Sequence, residues 1–207
     1  MSNPNIEKDA LFKLSYGLYV LTAEDEGKDN GCIINTCIQV AENPSTVVIA
    51  VNKGGFTHDM IAKTKKFNVS MLDESTPMEV FEHFGFQSGK SVNKFERPVY
   101  GAKKSENGIY YLSEHTNAFL SGYVTEMIDL GSHTLFIATV VKAQKLADTA
   151  SATYDYYSKN IKPAPSPKAK GWVCKICGYV YEGEELPADF ICPWCKHPAI
   201  DFEKLTS

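Results

Sequence analysis

Residues 30–61 read NGCIINTCIQVAENPSTVVIAVNKGGFTHDMI, and this stretch decides what kind of body the chain builds. It opens on a polar cluster, 30–39, read as loops beside strands, and turns at Pro44. The β-branched run 46–51 reads as a strand. That strand runs straight into Asn52-Lys53-Gly54-Gly55-Phe56-Thr57. Flexible glycines, a lysine and a helix start are the ingredients of a phosphate cradle, because helix N-terminal amides favour anions. The same residues also suit an ordinary turn before a helix, and residue chemistry alone leaves both open.

On either side the apolar pattern alternates between strand and helix. Segments 18–22, 67–72, 109–112, 118–127 and 134–142 are rich in Val, Ile, Phe, Tyr and Thr and are expected to be strands. One helix is expected from Thr57, with a capping Thr, an early Asp59 and lysines at 63, 65 and 66 near its end. A second is expected from Thr76-Pro77-Met78-Glu79, a capping box with proline in the first turn, stopping at Gly85. Weaker helices are expected over 7–16 and 153–159. Six or more strands with few crossover helices predict a mainly β, antiparallel barrel with helical insertions. No internal repeat is visible.

The composition of the 207 residues, 43% apolar and 22% charged, is that of a globular chain rather than a disordered or fibrous one. A net charge of −4 argues against nucleic acid as a partner. No apolar run approaches the roughly 20 residues of a membrane helix. The start, MSNPNIEKDALF, carries no basic-then-apolar leader pattern, so a cytoplasmic location is expected.

The stretch KPAPSPKAK (162–170) holds three prolines and no apolar periodicity, the composition of a semi-rigid spacer. It predicts a body of 1–160, a linker of 161–170 and a small domain of 171–207. The small domain holds three lysines against six acids, so most of the acidic excess is local to it. Acid there serves solubility, or forms a docking face for a basic partner.

Within the small domain, Cys174-Lys-Ile-Cys177 and Cys192-Pro-Trp-Cys195 stand 14 residues apart. Two tight turns, each presenting two thiolates, close a tetrahedron around one metal ion. Thirty-seven residues bury too little core to fold alone, so the metal supplies much of the stability. Zinc and iron share these ligands and this geometry. Trp172, Tyr179, Tyr181, Phe190, Trp194 and Phe202 form an apolar jacket of the kind that limits water access to an iron–thiolate site.

The sequence GWVCKICGYVYEGEELPADFICPWCKHPAIDFEKL resembles rubredoxin, from the CxxCGYVY first knuckle through LPxDF and CPxC to the closing DFE. The resemblance implies one iron ion on Cys174, Cys177, Cys192 and Cys195, cycling between ferric and ferrous. The spacing between the cysteine pairs is shorter than in stand-alone rubredoxins, and Lys196 stands where the second knuckle usually has glycine.

The 30–61 stretch resembles the flavin-reductase-like, FMN-binding split barrel: N-T-x-x-Q, a proline turn, a strand, N-K, then T-H-x-x-I. Later segments FGFQSGKSVNKFE, GSHTLFIATV and ATYDYY match further landmarks, so the resemblance spans roughly 10–165. It implies FMN held by Asn35, Thr36, Cys37, Asn52, Lys53 and Thr57, with Ser88 and Lys94 as further contributors. His133 lies where the family commonly reads G-D-H, but Ser132 replaces the acid. His133 is therefore either a catalytic residue near the nicotinamide or a histidine at a strand start. His58 reads as a first-turn helix residue, and Cys32 and Cys37 as small apolar fillers.

The fused arrangement resembles the high-molecular-weight rubredoxins. It implies an NAD(P)H-dependent flavin reductase-like oxidoreductase in which hydride enters at FMN and single electrons leave through the iron. The partner implied is a flavodiiron reductase of nitric oxide or dioxygen, and split-barrel reductases are homodimers. Two other readings remain: a flavin or ferric reductase that releases its product, and a binding module with a structural zinc tail. With no G-x-G-x-x-G present, the nicotinamide is expected to dock transiently over the flavin.

Overall fold

The computed structural model describes residues 7–11, 13–97, 99–163, 171–175, 177–194 and 198–205. Most of the expected linker, 164–170, lies outside the described residues. In chain order the elements are α1 (Lys8–Leu11), β1 (Tyr19–Asp25), β2 (Lys28–Ile34), β3 (Cys37–Glu42), β4 (Ser45–Asn52), α2 (Phe56–Thr64) and β5 (Lys66–Leu72). Then come α3 (Met78–Gly85), β6 (Lys103–Lys104), β7 (Tyr110–Tyr111), β8 (Thr116–Asp129), β9 (His133–Lys145) and α4 (Tyr154–Tyr156), which continues into a π-helical turn, Tyr157–Ile161. The small domain contributes β10 (Gly171–Cys174), β11 (Val180–Tyr181), a 3-10 turn over Ala199–Asp201 and β12 (Phe202–Leu205).

Seven strands form one antiparallel sheet in the order β2-β1-β5-β8-β9-β4-β3. The two edge strands, β2 and β3, are neighbours in sequence, joined only by Asn35 and Thr36. Laid flat, six inter-strand steps of about 4.8 Å would separate them by roughly 29 Å. A two-residue link reaches only about 10 Å. The sheet therefore curls until its edges nearly meet, leaving a seam between β2 and β3: a split barrel.

One core fills the barrel: Leu21 and Ala23 of β1, Ile49 and Val51 of β4, Phe67 and Val69 of β5, Leu120 of β8 and Phe136 of β9, with Met60 and Ile61 of α2 against it. A second lies on the outer side of β1, where Leu18 and Val20 meet Val80, Phe81 and Phe84 of α3 and Tyr157 of the π-helical turn. The small domain has its own cluster around Cys174, Cys177, Cys192 and Phe202, and its strands pair in the order β11-β10-β12.

The structure departs from the sequence reading in local detail. Segment 30–39 is not loop: it holds the end of β2, the Asn35–Thr36 link and the start of β3. Strand β2 begins with Lys28-Asp29-Asn30-Gly31, and β3 is an exposed edge, so neither shows an apolar run. Neither expected threonine cap forms. Helix α2 is capped at Gly55 without a side-chain bond, and Thr57 is buried. Helix α3 is capped at Pro77, and the Thr76 hydroxyl donates instead to the Asp73 carbonyl at 2.6 Å. At α4 the cap is present, with Thr153 Oγ1 accepting from the Tyr156 amide at 3.1 Å. The expected helix 7–16 shrinks to α1, since Leu11 and Leu14 stay more than half exposed and nothing rewards extension.

Candidate functional site

At one end of the barrel, beside the seam, a cavity is lined by Ile33 and Asn35 from the β2 side, Asn52 at the end of β4, His133 at the start of β9, and Tyr154. Asn52 and His133 are direct partners in the β4–β9 register, which is why residues 81 positions apart reach one rim. The Asn52 side chain accepts from the Gly54 amide at 2.8 Å, and its carbonyl accepts from the Gly55 amide at 3.1 Å. This tight turn swings the chain from β4 into α2. Thr36 Oγ1 donates to Asn35 Oδ1 at 3.2 Å, tying the link residues together. His133 Nδ1 meets Ser132 Oγ at 2.9 Å, so the serine that stands in place of an acid still orients the ring.

The other expected flavin residues are dispersed. Cys37 lies on β3 with its carbonyl accepting from the Tyr19 hydroxyl at 3.2 Å; burial pushes its thiol up to about 12, so it is an inert filler. Lys53 donates to Asp129 Oδ2 at 2.8 Å across the β8–β9 turn, and this ammonium together with the Gly131 amide holds the Asp129 carboxyl below its usual range. Thr57 is buried and its Oγ1 accepts from Asn30 Nδ2 at 2.9 Å. Ser88 sits on an exposed turn, its Oγ accepting from the Lys90 amide at 3.3 Å. Lys94 is buried: its ammonium donates to the carbonyls of Gly31 and Phe84, both at 2.8 Å, and burial pushes it down to about 8. That side chain joins β2 to the end of α3 from inside.

An apolar floor, with Leu18, Ile33 and Phe81, under a polar rim suits a flat heteroaromatic ring with hydrogen-bonding edges. The sequence reading missed Phe81, Phe86, Tyr154 and Tyr157 as lining residues. For the two tyrosines the ATYDYY segment was a signal. Phe86 falls within the FGFQSGKSVNKFE segment, which was the corresponding signal for it.

Cys177 of the small domain also lines this cavity. Cys174, Cys177 and Cys192 are buried with their sulfurs within 4.8 Å of one another, and the Cys177 and Cys192 sulfurs are 3.5 Å apart. Metal–thiolate bonds of about 2.3 Å in a tetrahedron place sulfurs roughly 3.8 Å apart, so the set fits a tetrahedral thiolate site. The expected fourth ligand, Cys195, and Lys196 lie outside the described residues. The first knuckle is built by backbone: the Gly178 amide donates to the Cys174 carbonyl at 2.9 Å, and the Cys174 amide to the Tyr179 carbonyl at 2.8 Å. Gly178 has φ +84°, which explains a glycine directly after the second cysteine. Tyr179, Tyr181, Phe190 and Phe202 pack ring on ring around the sulfurs, the predicted jacket.

Residues 11–165 match the model of the flavin reductase like domain, and residues 172–203 that of the rubrerythrin, rubredoxin-like domain. The chain is 32% identical to the high molecular weight rubredoxin of Moorella thermoacetica, over 97% of this chain and all of that one. It is 35% identical to the ferric-chelate reductase (NAD(P)H) of Archaeoglobus fulgidus, over 73% of this chain and 89% of that one. Among solved structures, the NADH:FAD oxidoreductase SgcE6 of Streptomyces globisporus shares the barrel: TM-score 0.61 at 21% identity, covering 70% of this chain and 83% of that one. The chain belongs to the flavin reductase-like family and carries an iron-binding, rubredoxin-like domain at its C-terminal side, the arrangement of the high-molecular-weight rubredoxins.

Proposed function

We propose that this protein is an NAD(P)H-dependent oxidoreductase that binds FMN at the barrel seam and one iron ion on Cys174, Cys177, Cys192 and Cys195. Electrons from NAD(P)H leave the chain singly to a redox protein, a flavodiiron reductase of nitric oxide or dioxygen. When bound, the flavin supplies hydride acceptance and single-electron release, and the iron supplies one-electron carriage. Each NAD(P)H becomes NAD(P)+ and a proton, and its two electrons reduce two one-electron acceptors in turn.

The observation that carries this reading is that Asn35, Asn52 and His133 share one cavity with Cys177, a metal ligand. With FMN bound, the Asn35 and Asn52 side-chain amides would serve the ring's polar edges, and Lys53, paired with Asp129 at the β4–α2 turn, would supply positive charge for the phosphate. Backbone at Thr36 and Cys37, the first turn of α2 at Thr57 and the Ser88 turn complete the cradle. Lys94 contributes by holding β2 against α3. His133 stands at the rim, where a nicotinamide would approach. The body, residues 1–160, and the tail, 171–207, act as two domains joined by the prolyl linker. The protein works in the cytoplasm and as a homodimer; the dimer is supported by the exposed apolar pair Ile38 and Val40 on edge strand β3.

Anaerobic addition of NADH to the FMN- and iron-loaded protein, with both chromophores followed by absorbance, tests the relay. Flavin bleaching followed by loss of the ferric–thiolate bands is expected; iron that stays ferric while flavin is reduced overturns it. Similarity to a ferric-chelate reductase supports a second reading, direct reduction of small ferric complexes. Chelate reduction that survives Cys177→Ser unchanged would favour it.

A further inference from the structure

The body and the start of the linker each hold one of the cysteine knuckles. Phe86, the residue after α3, stacks on Trp194 of the Cys192-Pro-Trp-Cys195 knuckle, centroids 4.8 Å apart and planes 14° from parallel. Phe86 also packs into the cluster of Cys174, Cys177, Cys192 and Phe202. On the other knuckle, Lys162 Nζ donates to the Lys175 carbonyl at 2.6 Å. A Cβ added to Gly178 would come within 3.2 Å of the Lys162 side chain, so the left-handed glycine also admits this contact. Phe86 belongs to neither the barrel core nor the α3 core; the cluster it packs against is the tail's. Its side chain emerges from the body's surface beside the cavity and finds its stacking partner on the other domain.

We propose that Phe86 and Lys162 are positioning residues that dock the tail with its cysteine edge against the flavin cavity. The docked arrangement is then the electron-receiving state. Because the docked edge is the one carrying Cys177 and Trp194, a redox partner competes with the body for it, and the tail serves donor and acceptor alternately. This inference rests on the proposed relay. It adds a requirement the relay alone lacks: transfer to iron depends on an aromatic contact remote from the nicotinamide.

The test compares the loaded full-length protein with its Phe86→Ser, Phe86→Tyr and Trp194→Ala variants by solution X-ray scattering and by anaerobic stopped-flow reduction with NADH. Stacked aromatic pairs are worth enough that losing one is expected to lower the docked-to-undocked ratio by up to about tenfold and to slow iron reduction with it. Phe86→Ser and Trp194→Ala are both expected to enlarge the radius of gyration and slow bleaching of the iron. Phe86→Tyr is expected to restore both. Trp194→Ala approaches the same contact from the tail, so a folding defect confined to one domain does not mimic the result. Wild-type compactness or wild-type iron reduction in both truncated variants overturns docking. Iron that stays ferric in the wild type defeats the relay instead, and the scattering comparison still decides whether Phe86 and Trp194 hold the domains together.

Discussion

Lys94 shows how far the role of a single residue depends on where the fold puts it. In sequence it is one lysine of a polar loop; in the structure it is a buried donor to two carbonyls. Lys94→Met removes that donor and is expected to cost about 1–3 kcal/mol, read by urea unfolding. The pH dependence has a definite sign. Burial pushes Lys94 from its ordinary 10.5 down to about 8, so between those values the unfolded chain holds more protons. The penalty is full below pH 8 and fades as pH rises toward 10.5. Cys37, pushed from 9.0 to about 12, acts oppositely above pH 9. The stability difference between wild type and Lys94→Met, in which the Cys37 contribution cancels, is therefore expected to grow in favour of wild type from pH 7 to pH 10. A difference that stays flat or shrinks contradicts the assignment. The clustering of Cys174, Cys177 and Cys192 was legible because CxxC spacing is local, whereas Asn35 and Asn52, which line the cavity, were picked out only through the family resemblance. The Phe86 contact was not legible, because its partner Trp194 is 108 positions away.

At the scale of elements, the strands that sequence revealed are those with apolar runs, and those it missed are polar or at an edge. Strand β2 follows β1 through Glu26 and Gly27, both with positive φ (52° and 82°), a tight turn of the primed kind. Glutamate is not a usual signal for it, so 25–30 gave no hint of a hairpin. Register imposes its own demands inside long strands. Gly122 sits at an irregularity in the β8–β9 pairing, and a Cβ there would lie 2.3 Å from the Phe67 ring. Gly122→Ala is expected to destabilise the barrel by about 1–3 kcal/mol through overpacking. That corresponds to roughly 2–12 °C in the thermal midpoint of the body, measured by circular dichroism. A midpoint within 1 °C of wild type would show that β8 slides to make room.

For the whole molecule, the separate cores predict separate responses to metal. The tail's cluster is built on cysteines with tail aromatics and Leu186 around them and Phe86 of the body packed against it, whereas the barrel and α3 cores contain none of the cysteine ligands. Chelation of the metal is expected to abolish the thiolate absorption and melt β10–β12, while leaving flavin binding and the barrel's thermal transition in place. Loss of both transitions together would mean that the tail carries part of the barrel's stability. Sequence by itself determined the two domains' kinds and the tail's chemistry. CxxC pairs, turn glycines and β-branched runs act within a few residues, and local spacing is enough to specify them. Only the tertiary structure decided that β2 and β3 meet across a seam, that Asn52 and His133 share a rim, and that Cys177 lines the same cavity. Those facts depend on strand register and domain docking, which are set by side chains far apart in the chain whose fit is defined only once the core has closed.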